Sequence, residues 1–308
     1  MKPHYFIITV DTEGDNLWNH LNGEEIKTNN SLFLIRFQKL CAKYNFKPVW
    51  LVNYEMAKDK RFSEGILPFL NEGMCEIGIH LHAWNTPPDY CLDGSYQGNP
   101  YLIEYPKNVR REKFRTLYDL LTSTFGKAPV SHRAGRWAMD EDYFKILEEF
   151  NIKVDCSVTP GVSWENNPGI STSSGADYSH YPPHPYMQGN VLEVPVSIKY
   201  FRTLRGDSFK HCIKHILYGE RIWLRPTSYT FGEMKLLCDR ILKNGPDYLE
   251  FMIHSSEFMP GGSPYFKTEK SVEDLFFKIE RLFVYLSRRG CVGITLQEYQ
   301  ALYNSSIR

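Results

Sequence analysis

Continuous apolar runs alternate along the chain with segments whose apolar residues recur at helical spacing. Residues 5–10 form one such run, and residues 34–44 carry their apolar side chains on one helical face. This alternation continues about seven times. The predicted strands are residues 5–10, 48–52, 76–80, 129–133, 152–157, 191–196, 249–254 and 291–295. The predicted helices are residues 31–44, 63–72, 110–125, 141–150, 207–217, 231–243 and 271–289.

Most predicted strands are uninterrupted apolar runs, which is typical of parallel strands buried on both faces. Together with the intervening helices they predict an α/β fold whose parallel sheet closes into a barrel. No repeat or low-complexity linker interrupts residues 1–308, so we predict a single domain. Two long irregular segments, 83–109 and 158–190, follow predicted strands. Loops in that place build the active sites of (β/α) barrels.

Composition narrows the classes of function. Lys plus Arg and Asp plus Glu each total 36, so no net field draws the chain to nucleic acid. The 7 cysteines form no CxxC pair, which argues against disulfides and a cysteine-rich zinc site. No apolar segment has the length of a signal peptide or a transmembrane helix. We therefore expect a cytoplasmic protein with no transmembrane segment and no nucleic-acid partner.

Two predicted strands end in pairs of residues that can bind a metal. Asp11 and Glu13 end the first, and His80 and His82 end the third. Alternate residues of a strand share a face, so each pair can point into one site. A catalytic zinc site typically has three nitrogen or oxygen ligands and one open position. Both histidines and one carboxylate could supply these ligands, and the other carboxylate could act as the base.

Further polar residues lie at the ends of other predicted strands. They are Arg133, with His132 beside it, Asp155 and His254. If these strands end at one rim, the polar groups converge there. Burying several charges together costs several kcal/mol unless they are paired or bind a metal. The pattern therefore predicts a functional site.

In this order the motifs resemble those of the polysaccharide deacetylase family, also called the NodB-homology or carbohydrate esterase family 4 group. The resemblance rests on residues 9–13, 76–82, 132–137, 154–157 and 252–254. It implies a distorted (β/α) barrel and a metal-dependent hydrolase that removes acetyl groups from sugars. A divalent metal ion, most simply zinc, is the expected cofactor. An N-acetylated sugar or glycan precursor is the expected substrate.

The resemblance also assigns roles to individual residues. Asp11 is the general base, Arg133 orients it, and His254 is the general acid. Asp155 is the carboxylate that tunes His254. A backbone N–H near Ala134 is expected to bind the oxyanion.

The ligand set departs from the family pattern at two positions. Thr12 stands where the family has a second Asp, so Glu13 takes that role. Trp84 stands where the family has its second His, so His82 is expected to replace it beside His80. A rearranged site, with Asp11 as ligand and Glu13 as base, remains open.

Aromatic residues make up 15% of the chain, and some could stack on a sugar ring. The candidates are Trp84, Trp137 and Tyr186. Three other functions remain open: hydrolysis of a non-sugar cyclic amide, sugar binding without catalysis, and glycoside hydrolysis by Asp11 and Glu13.

Overall fold

A computed structural model describes residues 3–19, 25–92, 99–167, 169, 175–202 and 219–307. Its strands are β1 (Tyr5–Thr12), β2 (Pro48–Val52), β3 (Glu76–Leu81), β4 (Ser131–Ala134), β5 (Val154–Asp155), β6 (Tyr186–Gln188), β7 (Val191–Glu193), β8 (Ile198–Phe201), β9 (Glu220–Trp223), β10 (Tyr248–His254) and β11 (Val292–Gly293). Its helices are α1 (Leu34–Lys43), α2 (Tyr54–Lys58), α3 (Lys60–Asn71), α4 (Lys107–Phe125), α5 (Glu141–Glu149), α6 (Phe231–Asn244), α7 (Glu269–Arg288) and α8 (Leu296–Ile307).

Within the described residues, nine strands form one curled sheet in the order β10-β1-β2-β3-β4-β5-β7-β6, with β11 also paired to β1. Every neighbouring pair is parallel except β6 and β7. Strands β8 and β9 form a separate antiparallel hairpin. The predicted distorted (β/α) barrel is confirmed, and its described sheet has nine strands where the sequence predicts eight.

The barrel is distorted because irregular backbone bridges the gap between β7 and β10. The hydroxyl of Tyr248 donates to the carbonyl oxygen of Pro195 at 2.7 Å, and the backbone N–H of Glu250 donates to Oγ of Ser197 at 2.9 Å. Pro195 has no N–H to donate to a strand ladder, which explains why β7 is shorter than the predicted strand at 191–196.

The two faces of the sheet have different neighbours. On β1, Phe6, Ile8 and Val10 pack against the helices. Ile7 belongs to a second apolar cluster inside the barrel, and Asp11 lies on the same face of β1. Apolar residues therefore fill the lower part of the barrel, and charged residues lie near the carboxyl ends of the strands.

Helices α5 and α6 begin at the predicted residue, and the other predicted helices that the structure describes begin within three residues of it. Asp140 caps α5, since its carboxylate accepts from the backbone N–H of Tyr143 at 2.7 Å. Helices α2 and α8 are not predicted, and the helix expected near 207–217 lies outside the described residues. In the described part of the chain, no helix combines the length and apolar character needed to span a membrane.

Candidate metal centre and active site

A cavity of about 320 Å³ opens where strands β1, β3 and β10 end. Asp11, Glu13, His80, His82 and His254 all line it. These residues are far apart in sequence, but the carboxyl ends of parallel strands meet at one mouth of the barrel. The structure therefore brings together the predicted ligands, base and acid.

Glu13, His80 and His82 form a compact set of donor atoms. Nε2 of His80 lies 3.0 Å from Nε2 of His82, and Oε2 of Glu13 lies 3.7 and 3.3 Å from these two nitrogens. All three side chains are buried. In tetrahedral zinc sites, bonds of about 2.0–2.1 Å hold neighbouring donor atoms about 3.3 Å apart. The three residues therefore fit a divalent metal such as zinc and leave a fourth position open.

The charges around His80 favour a cation at this place. Its Nδ1 lies 3.1 Å from the carbonyl oxygen of Arg133, so Nδ1 carries the hydrogen and Nε2 presents its lone pair. Burial lowers the pKa of His80, but Asp11 and Glu13 outweigh it and raise the pKa. Burial and His80 together lower the pKa of His82 well below its usual value. His82 is thus neutral and able to bind a metal.

Ring stacking and the contacts of Nε2 together hold the ring of His82. Trp84 stacks on it, with ring centroids 4.4 Å apart and planes 21° apart. In the turn after β4, a Cβ atom added to Gly135 would lie 2.5 Å from Cδ2 of His82 and 2.4 Å from the carbonyl oxygen of Leu81. Nδ1 of His82 is buried without a hydrogen-bond partner in the described residues. Trp84 therefore orients the ring of His82.

Arg133 lies between two buried carboxylates. Its Nη1 is 2.6 Å from Oδ1 of Asp11, and its Nη2 is 2.7 Å from Oε1 of Glu250. Burial acts to raise the pKa of Asp11, but Arg133, with His80 and His254, lowers it to about 2. Asp11 is therefore ionised and held by one oxygen. Its other oxygen, Oδ2, lies 3.9 Å from Nε2 of His254.

His254 has two neighbours that the motifs do not predict. Its Nδ1 lies 3.0 Å from Oε1 of Glu257, and the ring of Trp18 meets it edge-on with centroids 5.0 Å apart. Nε1 of Trp18 donates to Oγ of Ser256 at 3.0 Å. The one signal in the sequence for Glu257 is its position three residues after His254.

Asp155 lies on the other face of the sheet, in register with His132. Its Oδ1 lies 2.7 Å from Nδ1 of His132, and both side chains are fully buried. Both sequence neighbours of Asp155 pack inside the barrel. Adjacent residues of a strand point to opposite faces, so the Asp155 side chain points away from the cavity. In the described residues Asp155 therefore contacts His132 and Ser157 rather than His254, and the carboxylate beside Nδ1 of His254 is that of Glu257.

The outer face also holds Tyr186. It pairs in register with Glu193 on β7, which pairs in turn with Asp155 on β5. Trp84 and Trp137 line the cavity as predicted, but Tyr186 is not among the residues that do so. The placement of Tyr186 therefore does not support its predicted contact with a sugar.

A strained turn after β4 places Trp137 in the cavity. Arg136 and Trp137 have φ angles of 55° and 63°. Bulky side chains rarely adopt this left-handed region, which costs about 1–3 kcal/mol per residue and is most often found at functional sites. The guanidinium of Arg133 lies 5.0 Å from the ring centroid of Trp137, and Trp164 stacks on that ring. Trp164 also lines the cavity but was not predicted.

The predicted oxyanion donor near Ala134 is already engaged. The backbone N–H of Ala134 donates to Oγ of Ser157 at 2.9 Å, and the residue is buried. Ser157 in turn contacts Asp155 on the outer face. This N–H therefore serves the structure of the barrel.

Comparison with known proteins finds similarity in fold. No family model and no curated protein matches the chain. Among solved structures, a GH57 branching enzyme from Thermococcus kodakaraensis matches 97% of this chain and 71% of its own, with 11% identity and a TM-score of 0.55. A 4-alpha-glucanotransferase from Thermococcus litoralis matches 98% of this chain and 40% of its own, with 12% identity and a TM-score of 0.54.

A polysaccharide deacetylase from Mycobacterium smegmatis, so described without experimental assignment, is also similar. It matches 96% of this chain and 94% of its own, with 14% identity and a TM-score of 0.48. At such identities, the two matches with a TM-score above 0.5 show similarity of fold alone, and they agree with the predicted distorted (β/α) barrel.

Proposed function

We propose that the chain is a metal-dependent hydrolase that removes an N-acetyl group from a sugar or glycan precursor. The observation that carries the proposal is the grouping of Glu13, His80 and His82 beside the pair Asp11 and His254. Two imidazole nitrogens and one carboxylate oxygen are a donor set found in catalytic zinc sites. The motif resemblance supports the same reaction.

The roles of the side chains follow from their charges and positions. A divalent cation held by Glu13, His80 and His82 would polarise the acetyl carbonyl and lower the pKa of the attacking water. Asp11, ionised and held by Arg133, accepts a proton from that water as the water oxygen bonds to the carbonyl carbon. His254 donates the proton on Nε2 to the amine nitrogen as the C–N bond breaks. The products are acetate and an amino sugar, and the proton on Asp11 balances the one that His254 has lost.

The walls of the cavity suit a sugar ring. Four of its lining residues are tryptophans, namely Trp18, Trp84, Trp137 and Trp164. Indole rings offer flat apolar faces for the C–H face of a pyranose and an N–H for its hydroxyl groups. Small-molecule sites generally combine such apolar walls with a few placed polar groups.

Glycoside hydrolysis is less well supported. That reaction needs two carboxyl groups about 5–9.5 Å apart across the scissile bond, one of them kept protonated. In the described lining of the cavity the carboxylates are Asp11 and Glu13. Arg133 keeps Asp11 ionised, and Glu13 faces two imidazoles. Neither carboxylate is thus placed as a protonated acid.

Acetate release by stripped and reloaded protein tests the proposal. The purified chain is treated with a chelator, reloaded with zinc and incubated with N-acetylglucosamine, its oligomers and a cyclic imide. We expect acetate from at least one N-acetyl sugar, only after reloading. Glu13→Gln should abolish both zinc binding and acetate release, because the amide loses the charge that binds the cation.

Asp15→Asn is the matched control. Asp15 is a buried carboxylate two residues after Glu13, and its Oδ2 accepts from the backbone N–H of Asn29, which an amide oxygen can also do. This variant should keep zinc and activity. Full activity in stripped protein would contradict the role of the metal. Sugar binding without acetate release would indicate a non-catalytic binding protein, and opening of the imide alone would identify a cyclic-amide hydrolase.

A further inference from the structure

A buried carboxylate lies directly behind the proposed acid, on the side away from the base. Strand β10 ends at His254 and continues into a single 3-10 turn, Ser255–Phe258, which brings Glu257 back under the imidazole. Oε1 of Glu257 lies 3.0 Å from Nδ1 of His254. Glu257 is completely buried, whereas the His254 side chain is 15% exposed, on the cavity side. The carboxylate can therefore act on substrate only through the imidazole.

Two residues of the segment after β9 hold Glu257 in its ionised form. Nη2 of Arg225 lies 3.3 Å from its Oε1, and the hydroxyl of Thr227 donates to its Oε2. Burial acts to raise the pKa of Glu257, but His254, Arg225 and Thr227 outweigh it and lower the pKa. An ionised carboxylate only accepts hydrogen bonds. Nδ1 of His254 must therefore carry a hydrogen, and Nε2 is the nitrogen left for proton transfer.

The other neighbours of His254 leave its Nε2 facing the cavity. Asp11 on β1 faces Nε2 at 3.9 Å, and Trp18 lies against the edge of the ring. A positive charge on His254 acts in turn on His82, which follows β3, and lowers its pKa. Behind the ring, the charged groups among the described residues are Glu257 and Arg225. The acid thus lies between two carboxylates, one facing the substrate and one buried.

We infer that Glu257, held by Arg225 and Thr227, is the positioning residue of His254. It fixes the tautomer and the plane of the imidazole and favours the imidazolium that protonates the departing amine. The inference rests on the proposed function. It gives Glu257 the role that the sequence motifs assign to Asp155, which faces the opposite side of the sheet.

Two matched substitutions test the inference. Glu257→Gln and Asp155→Asn each turn a fully buried carboxylate, bonded to Nδ1 of a histidine, into an amide. The titration of His254 is followed by NMR in metal-free protein labelled in its histidine side chains, with His254→Gln assigning the signal. The pH dependence of kcat/KM is measured on the zinc-loaded variants. The titration of His254 in metal-free protein can be measured whether or not the chain is a deacetylase, so this result is independent of the proposed function.

For Glu257→Gln we expect the titration midpoint of His254 to fall by about one pH unit or more, the size of an opposite-charge effect at this distance. The alkaline limb of the plot of kcat/KM against pH should shift to lower pH by the same amount. At pH values above that limb, kcat should be about tenfold lower and KM little changed. Glu257→Asp should restore part of the shift. Asp155→Asn should leave the midpoint unchanged.

A His254 midpoint that moves in Asp155→Asn but not in Glu257→Gln would overturn the inference. If Glu257→Gln does not fold, Thr227→Val removes one hydroxyl contact and should shift the midpoint in the same direction by a smaller amount. No shift in that variant would then overturn it. A midpoint shift in a chain that releases no acetate would retain the positioning role while refuting the proposed reaction.

Discussion

Two imidazole–carboxylate pairs lie near one another in the barrel and differ in what they face. In the outer pair, Nδ1 of His132 lies 2.7 Å from Asp155, and both side chains are 0% exposed. In the inner pair, Nδ1 of His254 lies 3.0 Å from Glu257, and the imidazole is 15% exposed at the cavity. The chemical pair is the same. The outer pair packs under the helices and the inner pair opens to the proposed substrate.

The second nitrogen of each imidazole shows what this difference means. Nε2 of His132 lies 2.8 Å from the hydroxyl of Tyr143, so both nitrogens of that ring are satisfied within the protein. Nε2 of His254 faces Asp11 and the cavity, at a distance too long for a hydrogen bond. A histidine bonded to a carboxylate is thus structural when its second nitrogen is bonded within the protein. It can act on a ligand when that nitrogen faces an open site.

Replacing each histidine should separate the two pairs most clearly. His254→Gln should lower kcat/KM for an N-acetyl sugar by about 10²–10⁴-fold, the usual contribution of general acid catalysis, with little change in thermal unfolding. His132→Gln should leave buried polar groups unsatisfied and lower the free energy of unfolding by about 1–3 kcal/mol. Its folded fraction should keep normal kcat/KM. Equal losses of kcat/KM in both variants would contradict the distinction between a structural outer pair and an inner pair that acts on the substrate.

The turn after β4 links the outer pair to the metal site, and Gly135 in that turn should be sensitive to a single methyl group. In Gly135→Ala the new Cβ would lie 2.5 Å from the His82 ring and 2.4 Å from the Leu81 backbone. We expect the dissociation constant for zinc to rise about 10–100-fold, as for other changes to residues that orient metal ligands. Competition with a chromophoric chelator measures it.

Gly232→Ala is the control for this substitution, because its Cβ would meet nothing closer than 3.8 Å. Zinc binding should be unchanged in that variant. Equal affinity in Gly135→Ala and Gly232→Ala would show that packing against the β4 turn does not position the ligand.

The outer pair should also make stability depend on pH. Burial lowers the pKa of His132 below the usual 6.5, against the pull of Asp155. Below pH 6.5, His132 binds a proton in the unfolded chain but stays neutral in the folded chain. The free energy of unfolding therefore falls as the pH falls. One such group contributes a slope of at most about 1.4 kcal/mol per pH unit.

Urea unfolding of the native chain and of His132→Gln at a series of pH values isolates this contribution. The difference in free energy between the two should shrink as the pH falls below 6.5 and stay constant above it. A difference that does not change with pH would mean that His132 is not held neutral.

The smallest expected effects concern the hydroxyl groups behind each pair. Tyr143→Phe removes the partner of His132 and should cost about 1 kcal/mol of stability with no change in kcat/KM. Thr227→Val removes a partner of Glu257 and should instead lower kcat several-fold. Thermal unfolding and steady-state kinetics on both variants measure the two quantities. A loss of kcat in Tyr143→Phe would contradict a purely structural role for the pair of His132 and Asp155.

Local patterns were enough to predict much of the barrel and the grouping of the candidate metal ligands. The alternation of apolar runs and helical segments predicts most parallel strands, because such strands are buried on both faces. The spacing of His80 and His82, and of Asp11 and Glu13, predicts side chains on one face. Strand β6 and the β8–β9 hairpin escaped prediction because short edge strands carry little periodic signal.

The sequence by itself determined which residue types end the strands, and therefore that a metal, a base and an acid could meet at one mouth of the barrel. Only the tertiary structure decided which carboxylate lies beside His254. Asp155 and Glu257 are both plausible from the sequence, but a strand reverses the direction of its side chains at every residue, and the register of β4 with β5 turns Asp155 outward. The 3-10 turn after β10 brings Glu257 back under the imidazole. No pattern within a single segment specifies that meeting, because it depends on which strands lie side by side.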